Sequence, residues 1–144
     1  MDASDPFPAV WERFEEFMHT HGLLDSHEMN THLFVTCGDW DLKTMLPNQM
    51  QLAQVKHGLD KQGRAIVPYN RWLNIKRPFK TFTKTPSPLR IGMAGMLKAL
   101  QLELIGRHHS GIDDAKNILR IVEKMREGGW DPSTAPISGV TGQS

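Results

Sequence analysis

One cysteine, Cys37, is all that 144 residues hold, so neither an internal disulfide nor a zinc site made of several cysteines can form within the chain. It ends an apolar run, where a thiol is expected as a small buried hydrophobe and not as a nucleophile. No run of about 18 apolar residues occurs, and no membrane span is expected. The opening residues lack the basic start and apolar core of a secretory signal, so the expected setting is intracellular, in cytoplasm and/or nucleus. No internal repeat is present. Length and composition allow one globular domain and no more.

Net charge is close to nil at +1, but it is unevenly spread. Between Lys56 and Arg90 stand nine Lys or Arg (56, 61, 64, 71, 76, 77, 80, 84, 90) against a single acid, Asp60. The other eight basic residues share the rest of the chain with fifteen acids. Such asymmetry fits one surface that meets a polyanion and another that presents carboxylates.

Hydrophobic spacing sets out the elements. Val10, Phe14, Phe17 and Met18, widened by Trp11, predict an amphipathic helix over 7–21, closed by Gly22. Residues 25–31 are polar and read as a loop. His32 to Thr36 reads as a buried strand broken by Gly38, followed by a helix from Asp41 to Val55 that Pro47 should kink or shorten. After a hydrophilic loop over 57–68, Trp72 to Ile75 is a second strand, which makes a βαβ unit with parallel strands. Met93, Met96, Leu97, Leu100 and Leu104 share one face of a helix over 91–104. Ala115, Ile118, Leu119, Val122 and Met125 do the same for a helix over 112–127. Residues 132–144 lack periodicity and are expected to be a disordered tail.

Two stretches carry chemistry. In Gly106-Arg107-His108-His109-Ser110-Gly111-Ile112-Asp113-Asp114, a histidine pair precedes a helix whose first turn holds two acids. There the unpaired N–H groups and the macrodipole favour negative charge. Asp113 and Asp114 are ordinary first-turn capping acids on one reading and half of a hydrolytic site on the other. In Thr36-Cys37-Gly38-Asp39-Trp40-Asp41-Leu42-Lys43, Asp41 follows a strand, where ligands of open parallel sheets collect. Helix capping by Asp41 or Asp39 is the competing account. A third stretch, Lys76 to Pro86, interleaves bases with Phe79 and Phe82. Its bases could neutralise phosphates while the rings stack on unpaired bases. The alternative is a proline-punctuated loop with solvated bases and inward-facing rings. Lys76, Arg77, Lys80 and Phe79 are the candidate contacts to a single-stranded nucleic acid.

Together the first two stretches resemble the second and third motifs of the DEDDh 3'–5' exonucleases. The likeness is greatest to the branch with Snipper, the enhanced-RNAi exoribonuclease and the prion-protein-interacting exoribonuclease. Thr36 to Pro47 follows T-C-G-D-W-D-L-K-x-M-L-P, and Gly106 to Ile118 follows G-R-P-H-S-G-I-D-D-x-K-N-I, with His108 in place of the proline. The resemblance implies an α/β fold: an incomplete RNase H-like domain with a parallel βαβ core and several helices. It would occupy residues 6–131 as the C-terminal portion of an exonuclease domain. It implies removal of nucleotides from RNA 3' ends, with single-stranded RNA or a 3' overhang as partner and two Mg²⁺ ions as cofactor. Carried over residue by residue, His109 is the general base, Asp114 a metal ligand, and Asp41 a support for the metals.

No D-x-E strand of the family's first motif precedes Asp41, so half of the acidic set is missing from this sequence. That predicts an incomplete two-metal site and an open edge on the 33–36 strand. Two expectations follow: an exoribonuclease by descent, or a catalytically inactive module that binds RNA or protein.

Overall fold

The computed structural model describes residues 4–24, 32–55, 57–84 and 91–139. The expected loop over 25–31 and the two ends of the basic segment, Lys56 and Arg90, fall outside these. The elements are α1 (Phe7–Thr20), β1 (Phe34–Thr36), α2 (Leu46–Leu52), β2 (Arg71–Asn74), α3 (Lys76–Thr83), α4 (Met93–Ala99), α5 (Gly111–Glu127) and β3 (Ser138–Gly139). A wide, five-residue-repeat turn over Asp41–Met45 leads into α2. The strands pair in the order β1-β2-β3, in a sheet that mixes parallel and antiparallel neighbours. The chain divides into two compact units.

The first unit comprises Met1–Phe34, Trp40–Trp72 and Gly139–Ser144. Its core is aromatic: Trp11, Met50 and Tyr69 are buried, with Phe7, Phe14 and Phe34 packed round them. The rings of Trp11 and Tyr69 lie 4.9 Å apart and those of Phe34 and Tyr69 5.9 Å apart. Trp11 and Met18 form the inner face of α1, whereas Val10 and Phe17, expected on that face, are 44% and 54% exposed. The buried face is rotated from the expected stripe because the bulkiest residue, Trp11, sets which side turns inward. Gly58 sits at φ +104°, and a Cβ there would come within 2.8 Å of the Met50 sulfur and 3.1 Å of the Trp11 ring. Gly58→Ala is therefore expected to lower the stability of this unit by about 2 kcal/mol, read from its urea midpoint, through strain and overpacking together.

Pro47 acts as the sequence predicts. A proline cannot donate to a helical carbonyl, and the turn before it widens so that the Leu46 N–H reaches the Asp41 carbonyl. α2 starts there and ends at Leu52, short of the expected Val55.

The second unit comprises Val35–Asp39 and Leu73–Ser138. Leu73 and Ile75 at the end of β2, Phe79 of α3, Met93, Met96 and Leu97 of α4, and Ile121 and Met125 of α5 close its core. The residues after β2, expected as a loop, are helical. Pro78 stands in the first turn of α3, where its missing N–H interrupts nothing. Phe79 is fully buried and Phe82 packs against the same core, so Phe79 is no platform for a base. This corrects its assignment as an RNA contact. α4 stops at Ala99, and Gln101 takes a left-handed φ of +59°, which breaks the phase that would have buried Leu104. α5 runs as predicted, but its buried residues are Asn117, Ile121 and Met125, and Leu119 is 55% exposed. Residues 132–139 are not a structureless tail: Asp131 caps a short turn over Pro132–Thr134, and Ser138 is buried in β3.

Candidate functional site

Both aspartates at the start of α5 are engaged with the loop before it. An Asp113 oxygen accepts the Arg107 N–H at 3.0 Å, and an Asp114 oxygen accepts the His109 N–H at 3.2 Å. The Ser110 carbonyl accepts the Asp114 N–H at 2.8 Å, closing the first helical turn. A Cβ on Gly106 would come within 2.4 Å of the Asp113 carboxyl carbon, so only glycine lets the chain pass that close. His109 itself is left-handed, at φ +71°.

Among the described residues, Asp114 meets the main chain of His109 and not its ring. The nearest imidazole is that of His108, whose Nδ1 lies 3.7 Å from the same Asp114 oxygen that holds His109. The two histidine rings lie 3.9 Å apart. Asp114 is thus joined to His109 through the main chain, and the imidazole beside its carboxylate is that of His108. Both rings are exposed and Asp114 is half-buried, so a substrate phosphate can approach without displacing the core. In chemical terms this is an exposed imidazole on a loop whose main chain a carboxylate holds.

Asp41 belongs to the first unit, exposed at the start of the wide turn. Beside it, Trp40 is 65% exposed, an unusual position for so large an apolar ring. The basic stretch directs attention to Phe79 and away from Trp40. The tryptophan lies inside the second motif, but nothing local in the sequence says which way it faces.

In the second unit, Asn74 organises the turn that carries Asp39. It is buried, and its Oδ1 accepts both the Gly38 N–H at 3.0 Å and the Lys76 N–H at 3.1 Å. Its Nδ2 donates to Asp39 at 3.2 Å, and Arg77 reaches the other Asp39 oxygen at 3.4 Å. Asp39 is thereby engaged within its own unit. Asn74→Ala strands two backbone N–H groups and is expected to destabilise the unit by about 2–4 kcal/mol, measurable by urea titration.

Lys76 is half-buried, while Arg77 and Lys80 are exposed on α3. Lys76 and Arg77 occupy the first turn, in which no acid is present. The helix dipole disfavours positive charge at that end, so helix stability does not account for these residues.

Clusters of three or more His, Cys, Asp or Glu side chains able to hold a metal ion are absent among the described residues. One oxygen of Asp114 is already engaged by the His109 N–H, and a single carboxylate with neighbouring imidazoles is not the oxygen cage that a hard cation pair needs. These residues alone do not fit a two-metal site.

A profile of the exonuclease family matches residues 1–122. Over 131 residues, 90% of the chain, 39% are identical to ERI1 exoribonuclease 3 of Homo sapiens. Over 131 residues, 91% of the chain, 31% are identical to 3'-5' exoribonuclease 1 of Mus musculus. The chain spans about a third of the length of these curated relatives (35% and 34%). Among solved structures, the nuclease domain of 3'hExo, a DEDDh family member bound to rAMP, superposes with a TM-score of 0.72. That match is 29% identical and covers 95% of this chain and 61% of that one. A 3'-exonuclease in 3'-end-specific recognition of a histone mRNA stem-loop matches with a TM-score of 0.71 at 26% identity, over 97% of this chain and 60% of that one.

Proposed function

The chain belongs to the exonuclease family, and on that premise we propose that it works on the 3' end of single-stranded RNA as a 3'–5' exoribonuclease. The observation that carries the reading is the His109–Asp114 loop, an exposed imidazole fixed by a carboxylate at a helix entrance, within a stretch that follows the family's third motif. RNA is the substrate because the relatives are exoribonucleases and the neighbouring structures hold rAMP and an RNA stem-loop.

His109 accepts the proton of a water as that water attacks the terminal phosphorus. The P–O3' bond breaks and the departing O3' takes a proton from solvent, leaving a nucleoside 5'-monophosphate and a new 3'-hydroxyl on the shortened RNA; His109 returns its proton to solvent. Asp114 contributes by fixing the main chain of His109. The family uses divalent cations, and Mg²⁺ is the one we infer, since carboxylate oxygens suit a hard cation. Trp40, exposed beside Asp41, is the stacking surface for an unpaired base. Lys76, Arg77 and Lys80 neutralise phosphates.

The test is stepwise shortening of 5'-labelled single-stranded RNA from its 3' end by the purified chain in Mg²⁺, stopped by EDTA. RNA retained at full length contradicts hydrolysis and favours the second reading, an RNA-binding module without activity. That reading is supported by the lack of a three-ligand cluster among the described residues. For the basic helix, Lys76→Ala with Lys80→Ala is expected to flatten the slope of log K against log salt by about 0.7 for each phosphate left without its cation. An unchanged slope removes α3 from the interface.

A further inference from the structure

The segment leading to the histidine pair is laced to α5 by side chains. Arg120 donates to the Glu103 carbonyl at 2.6 Å. Asn117 bonds both sides of Ile105, accepting its N–H at 3.2 Å and donating to its carbonyl at 2.9 Å. Asp113 takes the Arg107 N–H, and Asp114 the His109 N–H. Every second residue from 103 to 109 is therefore held by one polar face of the helix. From Glu103 to Arg107 the partners on α5 run from Arg120 through Asn117 to Asp113, about one helical turn for every two residues of chain, and at His109 the partner is Asp114, next to Asp113.

Apolar packing does not hold this segment. Leu102 packs against the core, but beyond it Leu104 is 37% and Ile105 51% exposed. Asn117, by contrast, is fully buried on a helix whose other fully buried residues are Ile121 and Met125. An apolar residue would fill that slot without the cost of burying an amide. Its hydrogen-bonding groups are spent on Ile105 and on Arg120, which donates to its Oδ1 at 3.0 Å. We propose that Asn117 and Arg120 are positioning residues: they set the register of residues 103–109 along α5, and through it the place of His109. The proposal rests on the reading that His109 acts on RNA, but the register itself can be measured without any reaction.

Amide hydrogen exchange by NMR tests it in three variants of the chain. Asn117→Leu and Arg120→Met are each expected to speed exchange at Ile105, Arg107 and His109 roughly tenfold or more, while Ile121 and Met125 within α5 keep their protection. Arg120→Lys, which can still reach the Glu103 carbonyl, is expected to restore most of it. If Asn117→Leu fails to fold, Arg120→Met decides alone. Unchanged exchange at Arg107 and His109 overturns the proposal, as does a lysine variant no better protected than the methionine one. On labelled RNA, Arg120→Met is expected to lower kcat roughly tenfold or more at unchanged KM. A raised KM with kcat intact overturns the positioning role. If the unaltered chain does not shorten RNA, the exonuclease reading fails, and the exchange data still decide the register.

Discussion

His109→Ala is expected to slow release of the 3'-terminal nucleotide by about 10²–10⁴-fold, the usual loss when a general base is removed. RNA binding should change little, because the ring is exposed and holds up nothing in the core. His108→Ala is the necessary comparison. Its ring is the one nearest the carboxylate, at 3.7 Å, so a larger loss there than at His109 would transfer the proton-accepting role by one residue. Asp114→Ala should be as damaging as His109→Ala, for a reason the hydrogen bonds make plain. It removes the acceptor for the His109 N–H and lets a left-handed residue relax. Asp114→Asn keeps an acceptor at that place and should lose less of the loop's order than the alanine variant. Single-turnover rates on labelled RNA rank these variants directly.

Trp40→Ala is expected to weaken single-stranded RNA binding by about 1–3 kcal/mol, the range found when a stacked base loses its aromatic partner. At 65% exposure the ring contributes little to folding, so the stability of the variant should stay close to that of the parent. The contrast is Phe79→Ala, which empties a fully buried position and should destabilise the second unit by about 3–5 kcal/mol whether or not RNA is present. Binding that survives Trp40→Ala unchanged would remove Trp40 from the residues that contact RNA.

Element types are legible from spacing where an apolar stripe runs unbroken, as in α1 and α5, and poorly so where a proline intervenes. Pro78 looks like loop punctuation in the sequence, yet a first helical turn has no use for its N–H. Facing is harder to read than type. Val10 and Leu119 satisfy a helical period and are exposed, because burial is decided by what each helix packs against, which no local window contains. The motif places His109 and Asp114 in one loop, but not which imidazole lies beside the carboxylate, which is that of His108. What stays hidden is the support. Asn74 and Asn117 are buried amides, and the segments they hold, at Gly38 and Ile105, lie 36 and 12 residues away in the chain. Nothing in their own neighbourhoods distinguishes them from surface residues. Gly106 is legible as a turn, but the collision it avoids, with Asp113, is visible only in three dimensions.

As the proposed exoribonuclease, the chain receives an RNA 3' end at the loop carrying His109. Histidine ring signals of the chain, followed by NMR as a short oligoribonucleotide with a 3'-hydroxyl is added, test it most directly. The His108 and His109 signals should shift together and saturate with binding, and Asp114→Ala should abolish the shift. Ring signals that stay still while the oligoribonucleotide binds elsewhere on the chain would contradict it.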